Sequence, residues 1–72
     1  MPSIQTRVFW RISLPSEHEI GLAITAVTDE VNTFLAALPN LGDALDVRSE
    51  IRPIGKYGIE AIYTVTVVYV AT

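Results

Sequence analysis

Residues 4–14 alternate: Ile4, Val8, Trp10, Ile12 and Leu14 fall on one side, and Gln5, Arg7, Arg11 and Ser13 fall on the other, with Phe9 among them. A period of two with β-branched and aromatic content predicts a strand. Pro15 interrupts the pattern. Ser16-Glu17-His18-Glu19 then reads as a capping box, in which the Ser16 hydroxyl and the Glu19 carboxylate satisfy each other's backbone N–H groups. Beyond it, Ile20, Ile24, Val27, Val31, Phe34 or Leu35, and Leu38 recur at steps of three and four, the stripe of an amphipathic helix. Pro39 closes the stripe, so the predicted helix is about 22 residues, or roughly 33 Å, long. Asn40-Leu41-Gly42 supplies the exit turn.

Alternation returns over 44–54, with Leu45, Val47 and Ile51 opposing Asp46, Arg48, Glu50 and Arg52. Pro53 cannot donate to a ladder, so it marks an edge strand or the end of a strand. Gly55-Lys56-Tyr57-Gly58 suits a hairpin loop. Residues 59–71 form a third strand that is apolar toward its end on both faces. The pattern predicts a single α+β domain over 1–72, ordered β-α-β-β. Its three-stranded mixed sheet should run first, third, second, with the long helix on one face. The helix is expected to cover Val8, Trp10, Ile12, Val47, Ile51, Val65 and Val67. The open face is then expected to carry Phe9, Ile62, Val68 and Val70 beside Arg7, Arg11, Arg48 and Arg52.

Composition sharpens this picture. Half of the 72 residues are hydrophobic and mean hydropathy is +0.39, high for a domain so short that most of its surface meets water. There is no cysteine and one histidine, so disulfides and a cysteine- or histidine-rich metal site are not available as staples. Self-association is the remaining device, and a homo-oligomer is expected. No apolar run approaches the ~20 residues of a membrane helix, and Arg7 and Arg11 interrupt any secretory pattern at the start. A cytoplasmic protein without a membrane partner is expected. The net charge of −3 opposes a nucleic-acid partner.

Charge is unevenly placed. All five basic residues, Arg7, Arg11, Arg48, Arg52 and Lys56, lie on strands or the hairpin, while the helix carries Glu17, Glu19, Asp29 and Glu30. Arginine binds carboxylate or phosphate bidentately and stacks on flat rings, so the basic face could hold an anionic, planar ligand. The candidate binding set is Arg48, Arg52, Arg7, Arg11, Tyr57, Lys56 and Phe9. A plainer role is available to each. Arg48 and Arg52 can pair with Glu50 and Glu60, Trp10 is in phase with the core, and Phe9 suits a contact between copies. Catalytic constellations are missing: His18 sits in the first helical turn, Asp43, Asp46 and Glu50 are too scattered for a metal, and the Gly55–Gly58 loop lacks phosphate-loop spacing.

Ser49-Glu50-Ile51-Arg52, a glycine-bearing turn and Tyr63-Thr64-Val65-Thr66-Val67, set in a β-α-β-β order, resemble the dodecin family. That resemblance implies a flavin-binding protein assembled as a hollow dodecamer. Where dodecins place a flavin-stacking tryptophan, this chain has Ala44-Leu45-Asp46. The helix end Val31-Asn32-Thr33-Phe34-Leu35 and the strand from Ile62 to Tyr69 are also similar to short sporulation-associated and phage-encoded proteins of unclear function. The combined expectation is a non-enzymatic homo-oligomer that binds or sequesters an anionic, nucleotide- or flavin-like molecule between subunits. The alternative is a self-assembling protein–protein interaction module with no small ligand.

Overall fold

The computed structural model describes residues 3–55 and 59–71. Strand β1 (Ser3–Ser13) leads into helix α1 (Glu17–Ala36), a short 3-10 turn at Leu41–Asp43, strand β2 (Ala44–Ile54) and strand β3 (Glu60–Ala71). The sheet order is β1-β3-β2, as expected from the pattern. β1 and β2 run in the same direction but never touch. β3 lies between them, so both ladders are antiparallel and the sheet is antiparallel throughout rather than mixed.

Local chemistry sets the helix ends. The Ser16 hydroxyl accepts from the Glu19 backbone N–H at 3.2 Å, with Ser16 in extended backbone geometry. Glu17 and Glu19 sit in the first turn, where carboxylates favour the positive end of the helix dipole. Removing the cap in Ser16→Ala is expected to cost about 1 kcal/mol, read as a lower urea midpoint at unchanged slope. The helix stops at Ala36, short of the Pro39 boundary, because proline disfavours helical geometry in the residue before it. The last turn tightens instead, with the Ala37 N–H bonded to the Thr33 and Phe34 carbonyls and the Leu38 N–H to that of Leu35. Asp43 then locks the exit turn by accepting from the Asn40 N–H at 3.2 Å. Gly55 opens the β2–β3 connection at φ +89°, a left-handed conformation that side-chain-bearing residues resist.

The core is small. Phe9, Val27, Val31, Val65 and Val67 are buried together, and Phe34, Leu35, Tyr63 and Tyr69 pack around them half-buried. Phe34 links the set through a tilted stack on Phe9 at 5.5 Å and an edge contact with Tyr69 at 4.9 Å. The helix lies over β1 and β3 and scarcely reaches β2. Its buried line is Ala23, Val27 and Val31.

The phase of β1 is opposite to the expected one. Directly paired residues in a sheet share a face, and Phe9 pairs with Val65. Phe9, flanked by Arg7 and Arg11, therefore points toward the helix, where it is 7 % exposed. Val8, Trp10 and Ile12 point away, and Trp10 is 59 % exposed. The arginines flanking Phe9 find partners on this side. The helix flank carries Glu30, which pairs with Arg11 at 3.8 Å, and the Arg7 guanidinium lies 5.2 and 5.3 Å from the Phe9 and Phe34 ring centres. The arginine stems cover apolar surface while their charged heads stay wet. The other phase would bury Trp10 beneath the helix but strand the arginines from the acidic flank. Val47 and Ile51 do lie on the helix side as expected, yet they stay 49 % and 47 % exposed because the helix does not extend over β2.

Candidate functional site

Two surfaces stand out, and they lie on opposite sides of the sheet. On the open side, Ile4, Val8, Trp10 and Ile12 form a line along β1. β3 adds Ile62, Thr64, Thr66, Val68 and Val70 beside it, all partly exposed. β2 completes this face with Asp46, Arg48, Glu50 and Arg52. The face thus grades from apolar on one long edge to charged on the other. Its charges are internally paired: the Arg48 Nε lies 2.8 Å from Asp46 Oδ2, and the Arg52 Nη2 lies 3.0 Å from Glu50 Oε1. These pairs bridge residues two apart on one strand, and all four side chains are substantially exposed.

On the helix side, a shallow groove of about 480 Å³ is lined by Arg7, Phe9, Asp29, Glu30, Thr33, Phe34 and Ala37. Arg7 lies over its two aromatic rings, and no ion pair to Arg7 occurs among the described residues. The two acidic side chains in the lining work against an anion there.

The candidate binding residues are therefore divided. Arg48 and Arg52 occupy the open face as expected. Arg7, Arg11 and Phe9 do not; they lie under and beside the helix, because β1 presents its amphipathic side to the acidic helix flank. Phe9 is a core residue and Trp10 is exposed, the reverse of expectation. Lys56 and Tyr57 lie outside the described residues. The plainer role expected for Arg52, pairing with Glu50, is present, while Arg48 takes Asp46 as its partner. What sequence reasoning missed is the Ile4–Val8–Trp10–Ile12 line as a surface. The one hint in the sequence was the acidic helix, with Glu30 present as a partner for an arginine of β1.

Among the described residues, no three of His, Cys, Asp and Glu gather as metal ligands, and no helix is long and apolar enough to cross a membrane. Compared with known proteins, the chain matches no family model, no curated protein and no solved structure.

Proposed function

We propose that this chain is a self-assembling protein–protein interaction module whose open sheet face packs against further copies of itself. The observation that carries this reading is Trp10, 59 % exposed in the middle of an apolar line on a face that no element covers. A lone exposed apolar residue would mean little, but four large ones on one face of a strand, broken only by Thr6 between Ile4 and Val8, mark an association surface. The overall shape agrees. The molecule measures 46 × 21 × 12 Å, only two layers thick at its thinnest. Its radius of gyration is 14.1 Å, against ~11 Å for a compact domain of this length. Its accessible surface is 5157 Å², roughly 700 Å² above the ~4,400 Å² of a typical monomer of this mass. That excess is close to the ~800 Å² each partner buries in a standard interface.

A second copy suits this face for a specific reason. Packed sheet to sheet, about 10 Å apart, two copies would bury their β1 lines against each other and leave the charged β2 rows at the rim in water. Trp10 is the sole tryptophan in the chain, so its emission reports on the interface. Sedimentation across nanomolar to 100 micromolar concentrations is expected to show a concentration-dependent oligomer. Trp10 emission should shift to shorter wavelength as it forms. A monomer with water-like emission throughout would overturn the proposal.

A nucleotide- or flavin-like anionic ligand has a narrower footing, the Arg7–Phe9–Phe34 groove. It is favoured by a guanidinium poised over two rings and opposed by Asp29 and Glu30 in the same lining. Thermal-shift measurements with nucleotides and flavins, repeated on Arg7→Ala, distinguish the two. A ligand in saturating excess raises the unfolding midpoint of the wild type, and the variant loses that rise.

A further inference from the structure

β2 is an edge strand that the helix leaves uncovered. An open edge of this length is a template for another strand. Its pairable stretch has defined limits. At one end the register shifts between Ala44, opposite Tyr69, and Asp46, opposite Val68, and at the other Pro53 has no N–H to offer. Residue 49 lies midway between Leu45 and Pro53. Proline is tolerated on an edge strand when its nitrogen faces out of the sheet. The backbone groups of Val47, Ser49 and Ile51, in phase with Pro53, then face outward too.

The side chains along this edge follow a strict order. On the open face the signs alternate, Asp46, Arg48, Glu50, Arg52. On the helix side stand Val47, Ser49 and Ile51, with the two apolar residues about half exposed. We propose that β2 pairs antiparallel with β2 of a second copy about a two-fold axis at Ser49, joining two sheets into one of six strands. The idea rests on the self-association proposed above, but it uses the edge rather than the face.

Charge complementarity selects the register. With Ser49 opposite Ser49 of the second copy, Asp46 meets Arg52, Arg48 meets Glu50, and symmetry repeats both pairs. All four contacts join opposite signs. On the other face Val47 meets Ile51 twice, covering the apolar surface that the helix leaves bare. Displacing the pairing by two residues sets Arg48 against Arg48 or Glu50 against Glu50, which repels. Displacing it by four restores the signs but halves the number of charged pairs. A one-residue slip would match an open-face side chain with a helix-side one, which the two-fold axis forbids. The internal Arg48–Asp46 and Arg52–Glu50 pairs are exposed and exchange partners at little cost.

Two experiments on the full chain test the register. The chain has no cysteine, so Ser49→Cys introduces a single thiol. Directly opposed residues bring their Cα atoms to ~5.5 Å or less, within disulfide reach. Thiols placed by Val47→Cys or Ile51→Cys would sit four residues out of register, roughly 13 Å apart. Mild oxidation is expected to dimerise S49C at least tenfold faster than V47C or I51C. Equal rates, or none for S49C, overturn the proposal, including the case in which the edge serves a different protein's strand.

The second experiment uses Arg48→Glu and Glu50→Arg, both at exposed positions. Alone, each opposes like charges across the axis, and its dimer should weaken at least tenfold. Mixed one to one, the two variants set opposite signs at every contact, and a heterodimer should recover the loss. A mixture that behaves as its separate components overturns the register. Failure of the edge is distinguishable from failure of the face. If the wild type assembles but S49C does not cross-link, the edge alone is wrong. If a Trp10→Asp, S49C double variant still cross-links while larger species vanish, the edge stands independently.

Discussion

Replacing Phe9 with alanine is expected to lower folding stability by about 3–5 kcal/mol, the usual cost of deleting a buried aromatic ring. Phe9 is 7 % exposed and is the one buried side chain that β1 gives to the core. Its ring also holds Phe34 at 5.5 Å, and Phe34 in turn meets Tyr69. Losing it unseats the contact between α1 and both of its strands. Small domains hold only several kcal/mol in total, so F9A should be largely unfolded without added stabiliser. Urea titration followed by circular dichroism measures the effect. A loss below about 1 kcal/mol would show that β1 does not meet the helix through Phe9.

Trp10, the next residue, is expected to behave in the opposite way. Trp10→Asp should leave the isolated fold nearly intact, because the indole is already 59 % exposed. Association should weaken by about 2–4 kcal/mol, or roughly 30- to 1,000-fold in Kd, as for a tryptophan at the centre of an interface. Light scattering across a dilution series reads the change directly. A W10D protein with wild-type assembly would remove the open face from the interface. Together the adjacent pair separates folding from assembly with one substitution each.

These two residues also mark where the sequence was legible and where it was not. Ser16 and Pro39 bracket the helix by local stereochemistry that no tertiary contact overrides. Pro53 marks β2 as an edge strand or a strand end, and the proline-free third strand, apolar without a break from Val67 to Ala71, belongs at the centre, so the strand order follows. The side of β1 that meets the helix is a different kind of question. Alternation shows that a strand has two faces, and counting apolar residues shows which face must leave water. It does not show whether the helix or another molecule covers it. Val8, Trp10 and Ile12 outnumber Phe9, yet the helix takes Phe9, and on that side Arg11 reaches Glu30 and Arg7 lies over aromatic rings. Once that phase turns, the arginines of β1 and β2 separate onto opposite faces. The basic face read from spacing alone came apart for that reason.

The central place of β3 has a consequence for biosynthesis. Every ladder bond of β1 and β2 is made with residues 60–71, with Ser3 matched to Ala71 across nearly the whole sequence. On the ribosome, β1 and the helix must therefore wait, apolar side outward, until that last segment has left the exit tunnel. Only then can the sheet close, in one late and largely non-local step, which makes nascent copies on neighbouring ribosomes prone to meeting too early.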